Sequence, residues 1–215
     1  RAAIYSRLVL PVAAPPVLEP WPGSRSARNV PSHKTTIDGV MAVIVPGIGN
    51  SGPRHWQTLW ERRHPQWQRV QQCDWDRPVL TEWLPALASA VAGLPAPPVL
   101  IAHSMGCLLV AHWAQRASVP VRAALLVAPP DPQAPAFPAT TRGFETVPPG
   151  RLPFPSLVVA SSNDPFGSVD YAKRCAVAWG SGFAEAGAIG HINAESELGE
   201  WPDGVVLLEQ LLASS

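Results

Sequence analysis

The chain has 215 residues, 47% of them hydrophobic and 15% charged, so it is long and apolar enough to bury one sizeable core and lies far from the disordered class. Its 16 Lys and Arg residues balance 16 Asp and Glu residues, and this zero net charge argues against a nucleic-acid or membrane-surface partner. The composition therefore indicates one globular domain that acts on a small molecule.

The cysteines argue against a disulfide framework and against a structural zinc site. Cys73, Cys107 and Cys175 are odd in number and have no C-x-x-C spacing. They predict a reducing, cytoplasmic setting. No apolar run approaches the roughly 18 residues of a membrane span, and a secretory signal near the start is the alternative reading of the first apolar stretch.

The first forty residues differ in character from the rest. Residues 1–40 show no sustained period of 2 or 3.6, and they contain PPVLEPWPGSRSARNVPSHK before the abrupt change to MAVIVPG. This pattern predicts an irregular, proline-rich extension over residues 1–40 and a folded domain over residues 41–215. The extension is natural, processed or derived from outside the original start, and the sequence leaves these three origins open.

From Met41 onward, short apolar runs alternate with helical patterns, as is typical of a parallel sheet with crossover helices. Such runs, bounded by turn residues, predict about six strands, the last of them the weakest. In chain order they are AVIV (42–45), RVQQCDW (69–75), PVLIA (98–102), AALLVA (123–128), SLVVASS (156–162) and FAEAGAIG (183–190).

Five segments between and after these strands show helical spacing of their apolar residues. In the first, Trp56 and Trp60 share a face, and Ser51 is the predicted cap; in the second, Thr81 is the predicted cap. The alternation predicts a three-layer α/β domain with a mainly parallel central sheet. The helical segments are PRHWQTLWERR (53–63), TEWLPALASAVAGL (81–94), CLLVAHWAQR (107–116), YAKRCAVAW (171–179) and VVLLEQLL (205–212).

The stretch PPVLIAHSMGCLLVAHWA places Ser104 where a buried strand runs directly into a helix. The turn is close to G-x-S-x-G, with Ala102 at the first glycine position and Gly106 at the second. Small flanking residues allow close backbone passage, and the turn would expose the Ser104 hydroxyl beside the free Met105 N–H, a candidate oxyanion donor. The alternative is a serine that simply caps a helix.

A serine hydroxyl needs a histidine to remove its proton, and the histidine needs an acid to fix its tautomer. Asp164 follows a predicted strand, and His191 lies in a glycine-flanked loop after the last one, which gives the order serine, acid, histidine at strand carboxyl ends. The alternatives are a turn aspartate in N-D-P and a loop histidine that caps a helix. Asp131, after the fourth strand, is the rival acid.

The glycine-rich segment VPGIGNSG follows the first strand, and its Ile48 N–H is the candidate second oxyanion donor. The segment lacks G-K-[ST] and G-x-G-x-x-G, which argues against phosphate-loop and dinucleotide sites. His55, His64 and His112 have no spacing that would bring three metal ligands together. No cofactor and no metal are therefore predicted, and His103 is expected to pack or to support the site.

Six segments of the chain form a combined pattern: VPGIGNSGPRHWQTLWE, CDWDRP, IAHSMGC, LVAPPD, SSNDPF and GHINAESELGEWPDG. Taken together, they resemble the small serine hydrolases related to retinoblastoma-binding protein 9, a branch of the α/β-hydrolase superfamily. The resemblance covers residues 42–212 and implies a compact α/β-hydrolase fold with little or no lid. It departs from the family pattern at Glu197, where glycine is expected.

The resemblance implies a triad of Ser104, Asp164 and His191, with Asp164 preferred over Asp131. It also implies hydrolysis of small ester or amide acyl compounds through an acyl-enzyme. Two alternatives stay open: a partner-binding protein that keeps the hydrolase fold, and an acyltransferase that uses the same triad. A protein partner is not indicated by the sequence.

Overall fold

A computed structural model of the chain describes Ile37 and residues 39–214. The predicted extension over residues 1–40 therefore lies almost wholly outside the described residues. Ile37 and Val40 are buried against the same core as the first strand. The folded part described below begins there.

The described residues contain one six-stranded sheet in which every pair of neighbours is parallel. The strand order is β2-β1-β3-β4-β5-β6. The predicted parallel sheet of about six strands is confirmed, although the second strand is only two residues long. The strands are β1 (Ala42–Val45), β2 (Gln68–Arg69), β3 (Val99–His103), β4 (Ala123–Val127), β5 (Ser156–Ala160) and β6 (Gly182–Glu185).

Helices cover both faces of this sheet, which confirms the three-layer architecture. Helices α2, α3 and α4 pack on one face, and α1 and α5 pack on the other. The segment between β4 and β5 forms turns without a helix, in agreement with the expectation of little or no lid. The helices are α1 (Trp56–Arg63), α2 (Leu80–Ala92), α3 (Met105–Ala114), α4 (Val169–Trp179) and α5 (Pro202–Ala213), with a 3-10 turn at Ala194–Ser196.

The central strands are apolar without interruption because both of their faces are buried. Every residue of β3, β4 and β5 is buried, and successive side chains point to opposite faces. In β3, Leu100 joins the core beneath α2 and α3, whereas Ile101 joins the core beneath α1 and α5. The sheet is therefore the common wall of two hydrophobic cores.

Both predicted helix caps are wrong. Helix α1 starts after His55, whose Nδ1 accepts the Gln57 N–H. Helix α2 starts after Val79, which makes no side-chain cap, and Thr81 lies within its first turn. Val79 forms a bridge with Arg142, so a long-range contact sets this helix start and the local pattern carries no trace of it.

The helical tryptophans are core residues, as the spacing predicts. Trp56, Trp60, Trp83 and Trp113 are all buried. Each large ring removes much apolar surface from water, and buried Trp N–H groups usually find acceptors. The indole of Trp83, for example, donates to the Asp74 carbonyl at 3.1 Å.

Helix α3 crosses the end of β1 at very short range. A Cβ atom placed on Gly106 would overlap the Val45 carbonyl oxygen and would lie 2.9 Å from the Pro46 carbonyl oxygen. Backbone atoms cannot move aside as a flexible side chain can. Glycine is therefore required at position 106 for α3 to leave the sheet where it does.

Gly106→Ala should lower the free energy of unfolding by about 3 kcal/mol, because the added methyl group forces α3 away from β1. Urea denaturation measures the loss. Gly52→Ala is the matched control, since Gly52 is exposed and a Cβ there would meet nothing within 4 Å; its effect should stay within about 0.5 kcal/mol. Equal urea midpoints for the two variants would contradict the close approach.

Candidate active site

Ser104 occupies a sharp turn between β3 and α3. Its backbone has φ 54° and ψ −126°, a conformation that costs free energy for a residue with a Cβ. Its N–H donates to the Val127 carbonyl at 2.9 Å, and its side chain makes no capping hydrogen bond. The capping alternative is therefore not what the structure shows, and the hydroxyl is directed elsewhere.

The Ser104 hydroxyl lies at one end of a continuous chain of hydrogen bonds. Its Oγ is 2.8 Å from His191 Nε2, and His191 Nδ1 is 2.9 Å from each carboxylate oxygen of Asp164. The side chains of His191 and Asp164 are only 10% and 2% exposed. Such a carboxylate favours the tautomer with the proton on Nδ1, which leaves Nε2 to accept the serine proton.

The rival acid, Asp131, takes part in a different set of contacts. Its Oδ1 accepts the Gln133 N–H at 2.9 Å, and its own N–H donates to the Phe166 carbonyl. The hydrogen bonds of His191 Nδ1 go to Asp164 instead. The structure thus brings the three residues predicted as a triad into contact.

The turn that carries Asp164 also supports the histidine loop. Asn163 Oδ1 accepts the Gly190 N–H at 2.7 Å and the Ser161 hydroxyl at 2.9 Å. The Ser161 oxygen in turn accepts the Ile189 N–H at 3.0 Å. The N-D-P turn therefore contacts the histidine loop twice, because Asp164 binds the imidazole and Asn163 binds the backbone beside it.

The glycine-rich loop that carries Ile48 lies beside Ser104 and the Met105 nitrogen. A Cβ on Gly47 would be 2.8 Å from Ser104 Cβ and 3.2 Å from the Met105 nitrogen, so the glycine-rich loop passes directly against the turn. Within Ile37 and residues 39–214, neither the Ile48 N–H nor the Met105 N–H has an acceptor. Both are available for a developing negative charge, and Met105 adds the N-terminal end of α3.

Sequence reasoning missed Gln57, a fully buried side chain that ties this loop to the sheet. Its Nε2 donates to the Ile101 carbonyl at 2.9 Å, and its Oε1 accepts the Ser51 hydroxyl at 2.5 Å. A glutamine on a short helix usually faces solvent. No sequence signal distinguishes this one, apart from its place next to Trp56.

Arg69 was missed as well, and it holds the other side of the loop. Its guanidinium donates to Asn50 Oδ1 at 2.8 Å and to the Ser51 carbonyl at 2.9 Å, and it pairs with Glu61 at 2.5 Å. Asn50 has a left-handed backbone, with φ 61°, directly after Gly49 at φ 72°. The planar fork of arginine suits this bridging role, because it serves several acceptors at once.

The described residues contain no group of three or more His, Cys, Asp or Glu side chains that could hold a metal ion. His64 stacks on Trp67, and His112 contacts the Thr146 carbonyl, so the two lie in unrelated places.

Among the helices described, none is long and apolar enough to cross a membrane.

A sequence profile of the serine hydrolase family matches residues 42–210, which is most of the chain. This chain belongs to the serine hydrolase family. The enzyme shares 34% sequence identity with a protein from Pectobacterium atrosepticum described as a YdeN-like hydrolase, over 83% of this chain and 94% of that one, with a TM-score of 0.72. A comparison with curated proteins gave no match.

Two more distant structures share the α/β-hydrolase fold with this serine hydrolase. The ydeN gene product of Bacillus subtilis is 19% identical over 81% of this chain and 99% of that one, with a TM-score of 0.68. A monoacylglycerol lipase of Paleococcus ferrophilus is 14% identical over 84% and 97% of the two chains, with a TM-score of 0.63. Together with the family match, they show that the chain is a hydrolase of this fold.

Two buried histidines next to the site are held neutral. Burial, followed by the charge of Arg69, lowers the pKa of His55 to about 3. Burial, followed by the neighbouring His55, lowers the pKa of His103 well below its usual value. In the unfolded chain both groups would titrate near the ordinary value of about 6.5. Below that pH the unfolded chain binds a proton at each of the two histidines, whereas in the folded chain both histidines stay unprotonated.

The serine hydrolase should therefore lose stability as the pH falls below about 6.5, by about 1.4 kcal/mol per pH unit for each neutral buried histidine. His55→Asn should make this slope shallower by about that amount, since asparagine keeps a capping acceptor but does not titrate. Urea denaturation between pH 7 and pH 5 measures both slopes. Identical slopes would show that His55 is not held neutral.

Proposed function

We propose that this serine hydrolase cleaves small ester or amide acyl compounds through an acyl-enzyme on Ser104. The observation that carries the proposal is the hydrogen-bond chain from Ser104 through His191 to Asp164. A serine hydroxyl is a weak nucleophile without a positioned base, and a buried carboxylate behind the base stabilises the imidazolium that forms.

In the proposed first step, Ser104 Oγ attacks the substrate carbonyl carbon while His191 Nε2 takes the hydroxyl proton. The carbonyl oxygen becomes an oxyanion that the Ile48 and Met105 N–H groups stabilise. When the tetrahedral intermediate collapses, His191 returns the proton to the leaving alcohol or amine. Asp164 keeps its charge throughout and holds the ring.

In the second step, water enters the place of the leaving group and attacks the acyl carbon. His191 takes a proton from this water, and the same two N–H groups stabilise the second oxyanion. Collapse releases the carboxylic acid and returns the proton to Ser104 Oγ. No metal or cofactor is needed for either step.

The finer kinship with hydrolases related to retinoblastoma-binding protein 9 is part of the proposal. It is supported by G-H-I-N-x-x-S with W-P-x-G behind it and by the H-W-Q segment of α1. The proposed setting is cytoplasmic, with no nucleic-acid or membrane partner, and no protein partner is indicated. The zero net charge and the three free cysteines support that setting.

A fluorophosphonate probe should label the folded wild-type enzyme, and Ser104→Ala should abolish the labelling because the probe reacts with an activated serine. Ser118→Ala is the matched control, since Ser118 is exposed and precedes β4, so it lies near the amino ends of the strands, whereas Ser104 follows the carboxyl end of β3. Intact-mass spectrometry checks the adduct. Persistent labelling of Ser104→Ala would place the nucleophile at another residue. No labelling of the wild type would favour a binding protein.

Asp164→Asn should lower kcat for p-nitrophenyl acetate by about 10⁴-fold, by analogy with serine proteases, because it removes the charge that holds His191 in its working tautomer. Asp131→Asn should lower kcat less than about threefold, since among the described residues its side chain accepts only the Gln133 backbone N–H. Circular dichroism must first show that both variants are folded. The reverse result would place the acid at Asp131.

A further inference from the structure

The backbone next to His191 is in an unfavourable conformation. Ile192 has φ 50°, in the left-handed region that a β-branched residue rarely enters. Its side chain is fully buried in the core beneath α1 and α5. Such a conformation is energetically unfavourable and persists only where surrounding contacts enforce it.

Two buried side chains hold this turn from outside the loop. His103 Nε2 is 2.8 Å from the His191 carbonyl oxygen. The Trp56 indole N–H donates to the Ile192 carbonyl oxygen at 2.8 Å. Two consecutive carbonyls on either side of the strained residue thus each receive a donor, one from the end of β3 and one from the start of α1.

His103 is suited to this contact because it stays neutral and donates from one nitrogen. Burial, followed by the nearby His55 ring, lowers the pKa of His103 well below its usual value. The carbonyl facing Nε2 requires the tautomer with its proton there. The rings of His55 and His191 lie 4.7 Å and 4.9 Å from the His103 ring, so the imidazole also packs directly behind the proposed base.

We propose that His103 and Trp56 are positioning residues for His191. By donating to the His191 and Ile192 carbonyls, they enforce the left-handed turn that aims His191 Nε2 at Ser104. The proposal rests on the proposed function only in taking His191 as the base. It adds that the residue before the nucleophile and a tryptophan of α1 act through the histidine loop without touching substrate.

The chain offers a matched pair of tryptophans for the test. Trp60 lies one turn after Trp56 on α1, is equally buried, and donates its indole N–H to the Glu200 carbonyl, beyond the His191 turn. Replacing either residue by phenylalanine removes one N–H and keeps an aromatic ring. The two variants therefore differ in which carbonyl loses its donor.

Trp56→Phe should lower kcat for p-nitrophenyl acetate, and the rate of fluorophosphonate labelling, by about tenfold or more, because a small displacement of a base is costly. Its KM should stay within about twofold. Trp60→Phe should lower the urea midpoint about as much as Trp56→Phe does. It should leave kcat within about twofold of the wild-type value. Equal losses of kcat in the two variants would overturn the proposal.

His103 is tested by one disruptive and one conservative change. His103→Phe keeps a ring but removes the donor, and kcat should fall by about tenfold or more. His103→Gln places an amide N–H at nearly the same reach, so it should keep kcat within about threefold. Equal loss in the two variants would overturn the role of His103, and if neither folds, the tryptophan pair alone decides the proposal.

The result also separates this proposal from the one on which it rests. If the probe does not label the wild-type enzyme at Ser104, the proposed function itself is wrong. If the wild type labels and Trp56→Phe labels as fast as Trp60→Phe, the triad stands and the positioning role is wrong.

Discussion

The close approach of α3 to the end of β1 is the contact on which the rest of the site depends. The Gly106 backbone lies against the Val45 carbonyl, and Gly47 lies against Ser104 in the same way. At each of these two contacts an added methyl group would overlap the neighbouring residue. The two glycines therefore allow the start of α3 to lie close to the end of β1 and to the glycine-rich loop. Because of this, the glycine-rich loop and the start of α3 meet beside Ser104, above a sheet whose central strands are buried on both faces.

Around that point, polar groups from other elements hold each loop. Gln57 and Arg69 bind the glycine-rich loop, and Asn163 binds the start of the histidine loop. These side chains satisfy backbone groups that a sheet or helix would otherwise pair. Each loop is thus held by hydrogen bonds to side chains outside it.

The parts of the molecule that follow from local pattern were predictable from the sequence. Aliphatic runs gave β1, β3, β4 and β5, and the chain order of Ser104, Asp164 and His191 followed from strand ends. Gln57 and Arg69 were missed because a buried amide or guanidinium looks like a surface residue in sequence. The helix starts were wrong because a histidine and a bridge to Arg142 override local capping preference.

The strand order also bears on how the protein reaches this state. β1 lies inside the sheet, and its partner β3 pairs Ala42 with Val99 across the whole of α1, β2 and α2. Until β3 has been synthesised, the described residues offer β1 only the two-residue β2 as a partner strand. Non-local parallel pairing of this kind slows folding and populates aggregation-prone intermediates. For this chain, docking of β3 completes the pairing of β1 and brings the Ser104 turn against the loop beside it, while the other edge of β3 awaits β4.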